Sequence, residues 1–415
     1  MSSVSALEAL PPEIRRHLLA MMEFDEIKAL VHASLVYHQQ YLLDRRWLLC
    51  RCLDNTLRRV NIEAILVWQS GSASFAETRD RTAVSAILET YQERRKLQFT
   101  TTDDVALTLN DIVGIMVFHN TVIVPVANRY TNWVLENLAQ ETKGSTDFDP
   151  LSKSEETRVI RALYRFQLWC NLCGLGPYRK LQPYRSEYGS TELLKMLGSC
   201  FEPWEIEEIV CVYQFSEAKY QHVLDQISWD VNEKNPKFED QRPRTPEGSF
   251  DLKSDDSILV GAISQGLELL HDVLFRITDH TALVSFMQAN LKPFPGWFLA
   301  DDVLGWAAQT ERREIEPSEE DLKEARRDPL PSQPAGVPDP DSLYPPFAWS
   351  FIWGGTHSNI TGRWLTMYMG SNGLQHWGYV MWDQERLEKL GAVEVLTRQM
   401  KDAWRGEDPR DPAYL

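Results

Sequence analysis

Cysteine is scarce in this chain of 415 residues: there are six, too few for a disulfide-stapled scaffold, so reduced thiols are expected. Long apolar runs are missing too. The stretch nearest to a membrane span, DIVGIMVFHNTVIVPVANRY, is broken by His119, Asn120, Pro125 and Asn128. It falls short of the roughly 18–20 uninterrupted apolar residues that a span needs. The opening MSSVSALEAL has neither a basic flank nor an apolar core, which argues against a secretory leader. The expected location is therefore cytoplasm or nucleus, and the Asn359-Ile-Thr361 sequon reads as idle. Positive charge is also short. The 43 Lys and Arg face 60 Asp and Glu, and a net charge of −17 opposes phosphate backbones and anionic membranes as partners. Catalytic signatures are thin: HExxH, G-x-S-x-G, a P-loop and repeats of fixed period are all absent.

What the chain does have is helical periodicity in a globular composition, 43% hydrophobic and 25% charged. Val159, Leu163, Phe166 and Cys170 recur on one helix face, with Ser152 and Glu155 able to form a capping box and Gly174 able to end the helix. A second helix begins at Pro203 and buries Ile206, Ile209, Val210 and Tyr213. Its Glu205, Glu207 and Glu208 favour the positive end of the dipole, and the adjacent pair Glu207–Glu208 reads as solvated charge. Residues 255–277 and 103–138 also read as helices, the latter interrupted near Pro125. Three polar stretches, 139–154, 230–256 and the proline-dense 311–346, read as surface loops or disordered insertions of one helical body, with interdomain linkers as the alternative. The final segment concentrates Trp349, Trp353, Trp364, Trp377 and Trp382, rings that suit a core. A few short strands are expected there, followed by a helix from about Asp383. The division expected is 1–55, 56–310, 311–346 and 347–415, in a mostly α fold.

The chemistry-bearing residues give little. Cys170 and Cys173 form the one CxxC, placed at a helix C-terminus where the dipole works against thiolate, so they read as structural. His357 and His376 lie among potential loop residues and are the candidates if this is an enzyme, a hydrolase or transferase using the aromatic C-terminal segment. Arg158, Arg161 and Arg165 line one helix side; surface ion pairs are the expected role, with phosphate or acidic peptide as the rarer one. No catalytic residue, cofactor or metal is assigned.

The most informative stretch is ALPPEIRRHLLAMMEFDEIKALVHASLVYHQQYL, beginning at Ala9. Leu10-Pro11-Pro12-Glu13 starts a helix carrying Ile14, Leu18, Met21 and Met22. Asp25 can cap a second with Ile27, Leu30 and Val31, and a third carries Val36, Tyr41 and Trp47. Three such short helices have too little mutual core to use this apolar surface, so part of it should face a partner. The pattern resembles an F-box, through Leu10, Pro11, Glu13, Ile14, Leu18, Met22, Ile27, Leu30 and Trp47. Glu26-Ile27 stands where that family has an Asp-Leu pair. VHASLVYHQQYL, FEPWEIEEI and HWGYVMWD make the whole chain similar to F-box-like proteins of filamentous fungi. The resemblance implies a substrate receptor of a cullin–RING ubiquitin ligase. Leu10 and Pro11 would enter an apolar groove of the ligase adaptor, with Ile14, Leu18, Ile27 and Leu30 extending the contact, and the rest of the chain would hold a protein substrate. The rival readings are the hydrolase or transferase, with the N-terminal helices merely structural, and a helical scaffold without adaptor binding.

Overall fold

Four helix starts among the described residues are set by reciprocal caps. The computed structural model describes residues 5–96, 105–176, 188–242, 244–252, 255–294, 298–299, 344–353 and 372–403. In it Glu23, Thr108, Ser152 and Glu202 accept from the backbone three residues on, while Glu26, Asp111, Glu155 and Glu205 reach back to the cap. Each box satisfies backbone N–H groups that a first turn otherwise leaves without partners. The described residues are 75% helical and contain no strand, so the body is all-α. The strands expected near the C-terminus are thus absent from its described part. Trp364, His357, Asn359 and residues 311–343 lie outside the described residues.

The first three helices are α1 (Pro12–Ala20), α2 (Phe24–Ala33) and α3 (Leu35–Leu43). Pro12 sits in the first turn, where a missing N–H costs nothing. The α2 cap is Glu23, not Asp25, because Glu23 is the residue with extended backbone immediately before the helix. Ser34 caps α3 through the Tyr37 N–H. The expected third helix is divided: the chain turns at Asp44, and Trp47 belongs to α4 (Arg45–Leu57). That helix packs against α1 on one side and the body on the other. At its end Asn55 donates to the Ala20 and Met22 carbonyls (2.9 and 3.1 Å), and Thr56 accepts from the Phe24 N–H (3.1 Å). Nearly all the buried apolar side chains of the described residues form one contiguous cluster that begins at Leu19 and ends at Met400.

In the body, α5 (Asn61–Ser70), α6 (Ala73–Thr78) and α7 (Arg81–Lys96) precede a long helix in two parts, α8 (Leu109–Phe118) and α9 (Val124–Thr142). A π turn at His119–Ile123 joins them. Pro125 has no N–H for the ladder, and the widened turn before it lets the helix continue where an interruption was expected. By length and composition Leu109–Thr142 could cross a membrane; here it lays Ile112, Ile115, Ile123, Val126, Tyr130 and Leu138 in the core. Next come α10 (Lys153–Cys173), α11 (Ser190–Cys200) and α12 (Pro203–Ile227). The first of these is central, with α5, α9 and α12 around it. Its Ser152–Glu155 box and Gly174 end stand where the sequence places them.

The described residues of 230–256 form a folded excursion. It holds a 3-10 turn at Pro236–Gln241, buries Val231 and Phe238, and closes with the Phe250 N–H on the Val231 carbonyl (2.7 Å). The helix expected over 255–277 is broken into α13 (Asp256–Ile263) and α14 (Leu267–His271). They are bent by 97° at Gly266, whose φ of 91° suits glycine. A second π turn, Asp272–Arg276, and α15 (His280–Asn290) follow. The C-terminal helices are α16 (Phe347–Trp353), α17 (Asn372–His376), α18 (Gln384–Lys389), which begins just after Asp383, and α19 (Ala392–Ala403). Trp349, Trp377 and Trp382 are fully buried core residues.

Candidate functional site

Because α3 turns Tyr37 and Gln40 inward, its opposite side carries Leu35, Leu42 and Leu43, exposed at 71%, 53% and 81%. On α1 the inward residue is Leu19, and Ile14 and Met21 are exposed at 48% and 66%. Leu7 is held just before α1, its carbonyl accepting from the Tyr37 hydroxyl (3.0 Å) while the neighbouring Glu8 accepts from Ser34 Oγ (2.6 Å). Six of the ten large apolar side chains exposed among the described residues therefore fall between Leu7 and Leu43. Single exposed leucines are ordinary. Large contiguous apolar patches, as a general rule, are the surfaces on which proteins meet other molecules.

The residues singled out from the sequence are distributed unevenly over this face. Pro11 and Ile14 are exposed; Leu10, Leu18 and Leu30 are half-buried. Ile27 is buried in the module core with Leu19 and Val31, because the α2 face that carries it turns toward α3 and α4. It supports the face rather than lying on it. Trp47 is half-buried beneath the Arg16 guanidinium, 4.2 Å from the ring centre, and Arg16 also pairs with Asp44 (3.4 Å). Leu35, Leu42 and Leu43 were not separable from core positions by spacing. Leu35 and Leu42 do lie seven residues apart, the repeat of a helix stripe.

The three arginines of α10 are a correction. Arg158, Arg161 and Arg165 do form ion pairs, but buried ones and not the surface pairs expected. Glu205, Glu207 and Glu208 of α12 are buried too, since these two helices pack directly on each other. Arg165 reaches Glu205 (2.8 Å), Glu63 of α5 (3.1 Å) and Glu208 (3.7 Å). Arg161 contacts both Glu208 oxygens, and Arg95 of α7 pairs with Glu205 (2.9 Å). The Tyr91 hydroxyl donates to Glu63 and accepts from Arg165. Burial pushes the Glu205 carboxyl up, but Arg165, Arg95 and Arg161 outweigh it and hold it down at about 2. For Glu208 burial wins and the shift is upward. Arg158 binds Asp383 and the Met381 carbonyl, tying the C-terminal segment to α10. This cluster locks helices together.

Cys170 and Cys173 are fully buried, and burial raises both thiols. Among the described residues no group of three His, Cys, Asp or Glu is placed to hold a metal. His376 is exposed, edge-on to Trp133 at 5.6 Å.

A cleft of about 270 Å³ separates the start of α2, the α4–α5 junction, the π turn and the start of α10. Two irregular backbone segments meet there: the π turn, and Arg58 with a φ of 50°. Within it His119 is 7% exposed and its Nδ1 lies 3.2 Å from the Tyr164 hydroxyl. Burial lowers its pKa to about 4, against the opposing charge of Asp25, so the ring is neutral at pH 7. Comparison with protein-family models, curated proteins and solved structures finds no match to this chain.

Proposed function

We propose that this protein is an interaction protein without catalysis of its own, the substrate-receptor subunit of a cullin–RING ubiquitin ligase. In this reading α1 to α3 dock on the ligase adaptor and the body holds a protein target. The observation that supports it is the gathering of exposed Leu7, Ile14, Met21, Leu35, Leu42 and Leu43 on the helices that resemble an F-box. Pro11 and Ile14 are open to a partner's groove, and Leu10 is partly so.

The test is capture of purified adaptor by the full chain, beside a melting curve for each variant. An anchor at an interface commonly contributes roughly 2 kcal/mol or more, about a thirtyfold change in affinity. Leu10→Ala with Pro11→Ala, and separately Leu42→Asp with Leu43→Asp, should lose the adaptor while shifting the melting temperature little. Wild-type protein that never binds the adaptor, or variants that bind as well as wild type, would end this assignment.

A further inference from the structure

We propose that the cleft between the N-terminal helices and the body binds a cationic N–H donor on an apolar stem: the guanidinium or ammonium of an arginine- or lysine-like side chain. Its volume of about 270 Å³ lies just under the roughly 300–1,000 Å³ typical of sites for drug-sized ligands, which suits one side chain and not a nucleotide. Leu57 and Val60 are buried in its wall, and Phe24, Val124 and Ile160 half-buried, so methylenes meet apolar surface.

The charges of the lining select the sign. Glu23, Asp25, Glu26 and Glu156 outnumber Arg58 and Lys153. Both cations already have wall partners, Arg58 with Glu23 at 3.6 Å and Lys153 with Glu156 at 3.4 Å. Glu26 holds the Glu23 N–H at 2.9 Å. Asp25 is exposed and has no ion pair or side-chain hydrogen bond among the described residues, although its field reaches both His119 and Cys52. An anion would find α2 and α10 beginning here, and helix starts attract negative charge. These two are already occupied by their own capping carboxylates, Glu26 and Glu155.

His119 supplies an independent second observation. It is more than nine-tenths buried, its Nδ1 is engaged by Tyr164, and its Nε2 has no partner among the described residues. Nor is that nitrogen among the buried atoms sealed away without a partner. In the tautomer that donates Nδ1–H to the Tyr164 oxygen, which is the one this proposal assigns, Nε2 offers a lone pair to an incoming N–H. The ligand's charge would then lie against Asp25 and its donor hydrogens against His119.

The experiment is a titration of the full chain carrying ¹³C-labelled histidine, read at the His119 ring resonance. The probes are N-acetyl-arginine amide, agmatine and, as an uncharged stem, N-acetyl-norleucine amide. Saturable shifts with the first two and none with the third are expected. Tighter binding of the amide than of agmatine would mark a peptide-borne side chain, and the reverse a free amine. Asp25→Asn and, from the opposite wall, Glu156→Gln should each weaken binding about threefold, the effect of losing one solvent-exposed charge pairing. Melting curves check that both variants fold. Absence of a saturable shift, equal response to the norleucine probe, or unchanged affinity in both variants would overturn the proposal. Adaptor binding plays no part in the readout.

Discussion

Replacing Arg165 by methionine keeps an unbranched stem in the core and removes the cation. In the wild type, Arg95, Arg161 and Arg165 face Glu63, Glu205 and Glu208, a balanced set. After Arg165→Met three carboxylates share two cations, and one is left without compensation in a site where Arg165 is 2% and Glu208 0% exposed. Breaking a buried pair from one side typically costs about 3–5 kcal/mol, a large part of the roughly 5–15 kcal/mol that separates folded from unfolded protein. Urea unfolding followed by tryptophan fluorescence should show a lower midpoint at unchanged slope. The loss should also depend on pH with a definite sign. The orphaned carboxylate will hold a proton above the unfolded value of about 4.3, so stability of the variant falls as pH rises, by about 1.4 kcal/mol per pH unit while one proton is at stake. Its deficit is therefore largest at neutral pH and shrinks toward pH 5. In the wild type Glu205 lies outside this window, since its contribution is present above 4.5 and lost as pH falls through about 2; Arg165, the first of the cations that hold it there against burial, is the one the variant lacks. Adding Glu63→Gln restores the balance and should recover part of the deficit, a coupling of roughly 0.5–3 kcal/mol. A loss below about 1 kcal/mol that is flat with pH would refute the argument, since it would mean the cluster is not screened from water.

His119 gives the opposite case, a base whose folded pKa lies at about 4 instead of 6.5. The unfolded chain protonates first, so stability should fall as pH drops from 6.5 to 4, by up to roughly 3 kcal/mol; His119→Gln should remove that component of the pH slope. Gly114→Ala should destabilise despite better helix propensity, because the new methyl carbon would lie 2.0 Å from the Trp68 ring. Overpacking of about 1–3 kcal/mol outweighs a propensity gain of about 1, and a lower melting temperature checks it. All six thiols are buried, with burial pushing Cys52 up to about 12. A thiol reagent should therefore label native protein no faster than it unfolds, and elemental analysis should find no stoichiometric zinc in wild type or Cys170→Ser.

The parts of this protein legible in its sequence are those that depend on neighbours within a turn or two. The Ser152–Glu155 box, the Gly174 end, the start at Pro203 and the stripe Val159, Leu163, Phe166 and Cys170 are local, and the structure keeps each of them. So is the apolar excess of the first helices. Other features needed the assembled fold. Arg165 and Glu63 are separated by 102 residues, and Arg158 and Asp383 by 225, so no spacing rule could show that the α10 arginines are neutralised and buried. The same holds for Leu35, Leu42 and Leu43 outside and Ile27 inside: each is an apolar residue on a helix, and only the packing of α1 to α4 decides which side meets solvent. A helix sets the direction of its side chains by its own period, whereas burial is set by whichever distant helix comes to lie against it.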